Sequence, residues 1–245
     1  MLNLRFPSII STHSGFCNIL FDPLSRLDKP SLFGISYDSN VIKRGDALKI
    51  KVIIPVSTNK WDENVESDYR GLKRPETSVE VIHLDHGPEA IQSEYDEANV
   101  TPFVLHEVIC AAQVHDDALI IYCFSDPALS AAREISTIPV LGLGESSQTF
   151  AMGLADRIGI LATVDQTVPK IRRKLAARGF LSRFPSIHTL NIPVLDYDQL
   201  EKVLSKALEV TRSMVNQEGV EALILGCGSL LRIREVRAWA AWPKS

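Results

Sequence analysis

The chain has 245 residues, 45% of them hydrophobic and 23% charged, with a formal net charge of −4. That is enough apolar material for one large or two small cored domains, and it excludes a largely disordered chain. Mixed charge with no basic face excludes nucleic acid as a partner. No apolar stretch reaches the roughly 18 residues that span a bilayer, and the N-terminus lacks a basic head followed by an apolar segment, so a cytoplasmic protein with no membrane partner is expected.

In chain order, residues 1–48 are rich in turn formers, as in "DPLSRLDKPSLFGISYDSN", and read as an N-terminal extension of uncertain order with no counterpart later on. "LKIKVIIPVST" (Leu48–Thr58) is a β-branched strand ending on hydroxyl side chains. A second strand, "SVEVIHLDHG" from Ser78, leads to the helical pattern "EYDEANVTPFVLHEVICAAQ". "LIIYCFSDPALSAAREI" (Leu119–Ile135) then runs an apolar strand into Cys123, a turn and a helix, and "STIPVLGLGESS" (Ser136–Ser147) closes the first half with a strand.

The grammar then repeats. "DRIGILATVDQT" (Asp156–Thr167) matches the first strand and "SIHTLNIPVLD" from Ser186 matches the second. "LEKVLSKALEVTRSMVNQEG" matches the long helix, and "EALILGCGSLLRIREV" (Glu221–Val236) matches the cysteine strand. The offsets agree: Ile160 minus Ile53 is 107, Ser186 minus Ser78 is 108, and Cys227 minus Cys123 is 104. The duplication predicts two similar parallel-sheet α/β lobes related by a pseudo-twofold axis, residues 49–148 and 149–245. The second half stops 18 residues after Cys227 (245 minus 227), with "VRAWAAWPKS" where the repeat demands a closing strand.

In such sheets ligands sit beyond the carboxyl ends of the strands. Cys123 and Cys227 both lie there, so the two thiols are expected to face a shared cleft. A sulfur just ahead of a helix N-terminus has a lowered pKa. Asp126 as N-cap and Pro127 at the first helical position sign such a start after Cys123; Ser229 serves Cys227 in the same way, between glycines 226 and 228 that admit close backbone approach. With one thiolate and one thiol on opposite sides of a carbon, one removes the proton and the other returns it from the far face. This is a two-base racemisation that needs no cofactor.

"YCFSDPALSAAREI", "GCGSL", "HLDHGPEAIQSEYDEA" and "IPVLGLGESS" resemble the aspartate/glutamate/hydantoin racemase superfamily, closest to its hydantoin racemase branch, over about residues 49–231. The resemblance implies a racemase of a small-molecule substrate, a 5-substituted hydantoin or a related cyclic ureide such as allantoin. It implies Cys123 and Cys227 as the acid/base pair, with a pocket lined at Ser57 and Thr58, at Phe124 and Ser125, and at Gly228 and Ser229. Where the branch tends to carry Asn-Pro-Asn after the first strand, "IPV" puts Ile54 and Val56. The alternatives are an aspartate/glutamate-type amino-acid racemase of the same fold and a catalytically impaired ligand-binding homologue. A cysteine hydrolase is a different class and needs a histidine beside one thiol. Oligomeric state is open, a homo-oligomer included.

Other features have plainer readings. Cys110 reads as a small apolar residue of a helix, and Cys17 is assigned nothing. His83 and Asp85 in "HLDH" lack a third ligand, so no metal is expected. "GLGESS" lacks the glycine spacing of a dinucleotide loop, leaving Glu145 as a cleft residue or helix cap. "KIRRKLAARG" reads as a solvated helix face closed by Gly179.

Overall fold

The computed structural model describes residues 8–10 and 47–233. In order, these form β1 (Ser8–Ile10), β2 (Lys49–Ile54), α1 (Asp62–Leu72), β3 (Ser78–His83), α2 (Glu94–Gln113), β4 (Ala118–Ile121), α3 (Leu129–Ile135) and β5 (Val140–Gly142). Then come α4 (Leu143–Met152), β6 (Ile158–Ala162), α5 (Thr167–Ala177), β7 (Ser186–Thr189), α6 (Leu200–Glu218) and β8 (Ala222–Leu225), the last followed by a 3₁₀ turn over Gly228–Ile233. Cys17 and "VRAWAAWPKS" lie outside the described residues.

Two four-stranded sheets result, β3-β2-β4-β5 and β7-β6-β8-β1, parallel throughout. The order is the same in both, and the fourth place of the second sheet is taken by β1, with Ser8 opposite Ala222 and Ile10 opposite Ile224. The N-terminal segment therefore does have a role in the second sheet: it occupies the position that the repeat assigns to a strand after β8.

The duplication extends to single hydrogen bonds. Ile53 pairs with Ile121, two residues before Cys123, and Leu161 pairs with Leu225, two residues before Cys227. The next N–H closes the ladder in each lobe, Tyr122 to the Ile53 carbonyl and Gly226 to that of Leu161, both at 2.8 Å. Each cysteine carbonyl then accepts from the N–H three residues on, Asp126 at 2.9 Å and Leu230 at 3.1 Å.

The strands are apolar on both faces because helices cover both. Ile53, Leu119 and Ile121 pack on Val100, Val104 and Val108 of α2, while Val52 and Ile54 face Val65 of α1 and Tyr122. In the second lobe Leu161, Leu223 and Leu225 meet Val203, Ala207 and Met214 of α6; Ile158, Ile160 and Ile224 meet Ile171 and Leu175 of α5. Each such fully buried side chain contributes about 1.5–3 kcal/mol. The lobes interlock: Phe124 of the first packs into the core of the second, and Val194 of the second into that of the first. Val194 N–H donates to Gln92 Oε1 at 2.9 Å, and Lys60 Nζ to the Leu195 carbonyl at 2.5 Å.

The helix α1, "DENVESDYRGL", sits between two strands that the sequence reading joined without one. The run "KIRRKLAARG" forms α5 and ends as expected at Gly179, whose φ of +74° is the left-handed value that favours glycine. Its face is not simply solvated. Lys170 is buried at 1% exposure, and Arg173 pairs with Glu94 across the lobe boundary.

Candidate active site

Beyond the carboxyl ends of β2, β4, β6 and β8, between the lobes, lies a cavity of about 440 Å³. Cys123 and Cys227 both line it, with Phe124, Ser125, Gly228 and Ser229 beside them. The two turns are built alike. The Ser125 N–H points at the Cys123 sulfur, and the Ser229 N–H, with its own hydroxyl and the Leu230 N–H, points at the Cys227 sulfur. Donors aimed at both sulfurs stabilise a thiolate wherever one forms.

Burial outweighs those donors. It pushes the Cys123 thiol up to about 12, against the opposing pull of the Ser125 N–H and the Lys170 charge, while Cys227 and Asp126 nearby push it further up. Cys227 is likewise raised by burial. The sequence reading, from helix N-termini alone, expects lowered thiols. In the folded cleft desolvation of the charged form is the larger effect, so each sulfur rests as a thiol, and mutual repulsion disfavours two thiolates at once.

The turn after Cys123 differs from its expected form. Asp126 does not cap the helix that follows it: α3 begins only at Leu129, after Ala128, with no side-chain cap. Asp126 instead caps α4, accepting the Gly144 and Glu145 N–H groups at 2.7 Å each, and Arg178 Nη2 lies 3.1 Å from its carboxylate. Its own pKa is raised to about 6 by burial, opposed by Arg178 and by those two amides. Asp126 and Ala128 both take left-handed backbone, with φ of 48° and 60°, a conformation aspartate tolerates far better than alanine. The glycines of "GLGESS" make room for this cradle. A Cβ on Gly142 would stand 2.5 Å from Asp126 Oδ1, and one on Gly144 would stand 2.0 Å from the Phe124 carbonyl oxygen. On the opposite side a Cβ on Gly228 would lie 2.6 Å from the Tyr122 ring, so that glycine sets how closely the lobes approach.

Ser57 and Thr58 do not line the cavity; Ile54, Pro55 and Val56 do. The backbone turns at once after β2: Ser57 N–H donates to the Pro88 carbonyl at 3.0 Å and its hydroxyl to the Gly87 carbonyl at 2.7 Å, while Thr58 Oγ1 accepts from the Lys60 N–H. Ser57 is thus held on the 84–88 loop and Thr58 on the start of the next turn, both away from the ligand side. In their place α1 and the residue before it contribute Trp61, Asn64, Val65, Ser67 and Asp68, and the second lobe contributes Thr163 and Thr167. The α1 set was missed from the sequence, although positions 61, 64, 65 and 68 share one helical face. His83 serves to hold that helix, with Nδ1 2.6 Å from Asp62 Oδ2. Glu145 pairs with Arg133 at 2.7 Å, outside the cavity lining.

Among the described residues lining the cavity there is no Lys, Arg or His, and Asp68 is the only Asp or Glu. Tyr197, buried at 2%, keeps its hydroxyl without a hydrogen-bond partner among the described residues, and its pKa is raised by burial and by Cys227.

Comparison with known proteins agrees with this architecture. The Asp/Glu/Hydantoin racemase family model matches residues 50–239. A hydantoin racemase of Pseudomonas sp. (strain NS671) is 30% identical over 184 residues, covering 75% of this chain and 74% of that protein. One from Rhizobium meliloti is 28% identical over 187 residues, covering 75% and 76%. Among solved structures, the allantoin racemase from Klebsiella pneumoniae superposes with a TM-score of 0.70 at 26% identity, covering 76% of this chain and 77% of that one. The two-lobed fold, the match over most of the chain and the relatives' shared activity make this chain a member of the Asp/Glu/hydantoin racemase family, and so a racemase.

Proposed function

We propose that the protein is a cofactor-independent two-base racemase of a 5-substituted hydantoin or a related cyclic ureide, with Cys123 and Cys227 as its acid/base pair. One observation carries the reading: two cysteines at equivalent strand ends of the two lobes line a single cavity whose lining, among the described residues, holds no cation. An aspartate or glutamate substrate brings carboxylates that need Arg, Lys or an equivalent donor set. A neutral ring with two N–H and two C=O groups needs only neutral donors and a few acceptors. Asn64, Ser67, Asp68, Thr163 and Thr167 supply those, and Trp61, Val65, Ile91, Ile171 and Val194 offer an apolar wall for a ring substituent.

The chemistry follows from the two sulfurs. The C5–H bond is acidified by the adjacent ring carbonyl. A thiolate on one face takes that proton, the electron pair moves into the C4–O enolate, and the opposing thiol delivers its proton to the other face of C5. The enzyme ends with the proton on the first sulfur and the charge on the second, ready for the opposite enantiomer. Repulsion between the sulfurs favours this singly ionised state.

Solvent exchange tests the reading. One enantiomer of a 5-substituted hydantoin is incubated in deuterium oxide with wild type, Cys123→Ser or Cys227→Ser, and optical rotation and C5 deuteration are followed. Two-base chemistry predicts loss of net racemisation in both variants, with residual exchange confined to one enantiomer in each. Full racemisation by either variant would overturn it. Turnover of aspartate or glutamate in place of the ring would favour the amino-acid reading, and no turnover by the folded wild type would favour a binding role.

A further inference from the structure

Below the Cys123 turn one buried and two partly buried charges meet across the lobe boundary. Glu97 of α2 receives Lys170 Nζ on Oε2 at 3.0 Å and Lys174 Nζ on Oε1, and Lys174 Nζ also donates to the carbonyl of Ser125. The side chains of Lys170 and Glu97 are 2% and 13% exposed. The Lys170–Glu97 approach is off the hydrogen-bond directions, so those two atoms are paired by charge alone and the ammonium is almost fully desolvated. On α5 the residues at 167, 170, 171 and 174 follow one helical face. Thr167 and Ile171 line the cavity, which puts Lys170 directly behind its wall.

A desolvated ammonium is costly unless something nearby repays it. One carboxylate against two ammonium groups leaves the cluster at net +1. We propose that Lys170, Glu97 and Lys174 form an electrostatic positioning device for Cys123. Lys174 fixes the turn through the Ser125 carbonyl, and the surplus positive charge favours the thiolate of the first lobe. The inference rests on the reading that Cys123 ionises during turnover, and it adds residues that neither touch substrate nor line the cavity.

Among the described residues, Cys227 from the second lobe and Asp126 from the turn of Cys123 itself oppose its ionisation, while Asp68 and Tyr122 line the same cavity. Asp126 is matched by Arg178, which also lies 3.8 Å from Glu145. Lys170 is the opposing cation that acts on the sulfur. The cluster ties α2 of one lobe to α5 of the other beside the Cys123 turn.

The test reads the sulfur without any substrate, so its failure and failure of the racemase reading are separate results. Alkylation of Cys123 by iodoacetamide is followed by peptide mass spectrometry between pH 7 and 9, where the rate climbs with thiolate fraction, with Cys110 on the far part of α2 as internal control. Losing a cation lowers the thiolate fraction about tenfold per pH unit of displacement, partly offset by higher thiolate nucleophilicity. Lys170→Met is therefore expected to slow Cys123 alkylation about fourfold, and Glu97→Gln, which leaves two cations, to accelerate it about fourfold. A purely structural role would loosen the cleft in both variants and move both rates the same way. If Lys170→Met does not fold, Lys174→Met must give the same slowing. Rates that move together, or that do not move in any variant, overturn the proposal.

Discussion

Gly144→Ala is a one-methyl perturbation aimed at the Cys123 turn from a helix that contributes nothing to the cavity lining. The added Cβ would stand 2.0 Å from the Phe124 carbonyl oxygen, 2.9 Å from its carbon and 3.0 Å from Asp126 Oδ2. An ordinary carbon–oxygen contact is about 3.3 Å, so either α4 or the 123–126 turn must retreat by about 1.3 Å. The obstacle is backbone, with no rotamer to yield. The neighbouring side chain is the carboxylate that receives the Gly144 and Glu145 N–H groups at 2.7 Å, so retreat also breaks the cap. Overpacking of this kind costs about 1–3 kcal/mol, and a lost cap adds about 1 kcal/mol. A displacement of about 1 Å at a catalytic group lowers turnover roughly 100-fold. The assay is paired: racemisation of a 5-substituted hydantoin by polarimetry, and thermal unfolding by circular dichroism. Gly71→Ala, near the end of α1 with nothing within 4 Å of its Cβ, is the control, and it should keep its turnover and melt no lower than wild type. A Gly144→Ala enzyme with wild-type rate and midpoint would refute the claim that this glycine exists to let α4 and the cysteine turn meet.

Because burial raises both thiols, the singly ionised form becomes more abundant as pH rises. The log of kcat/KM, corrected for the spontaneous rate, should climb through pH 7–9 with no descending limb in that range; a maximum near pH 6 would contradict it. Ser229→Ala removes the hydroxyl that stabilises a Cys227 thiolate. It should slow deuterium exchange from the enantiomer served by Cys227 about tenfold while leaving the other within about threefold, and equal losses for both enantiomers would count against the assignment. Asp126 holds its proton more tightly folded than unfolded, its pKa rising from 3.8 to about 6. Its stabilising contribution is therefore complete below about pH 4 and is lost as pH climbs through about 6, at most about 3 kcal/mol. Asp126→Asn should show a smaller change of urea midpoint between pH 4 and pH 7 than wild type does, and a larger change would reverse the sign of the argument.

Local chemistry is enough to reveal the doubled unit, because alternation of apolar strands with helical periods is written residue by residue and repeats at offsets of 107, 108 and 104. The convergence of Cys123 and Cys227 follows from the same logic, since parallel strands of one connectivity end on one side of their sheets. Gly179 is legible too, as a left-handed helix stop set by its own backbone. Through-space partners are a different matter. Ser57 and Thr58 sit where a strand ends, yet the carbonyls of Gly87 and Pro88 hold Ser57, and the Lys60 N–H holds Thr58, off the ligand side. Asp126 has the chemistry of a cap but serves a helix 18 residues away, because two glycines there admit its carboxylate. The basic run of α5 matches any solvated helix face until α2 brings Glu97 and Glu94 to it across the lobe boundary. The thiols' acidity follows the same division: amides near each sulfur are implied by a turn, whereas burial, the larger effect, exists only once two lobes close over both.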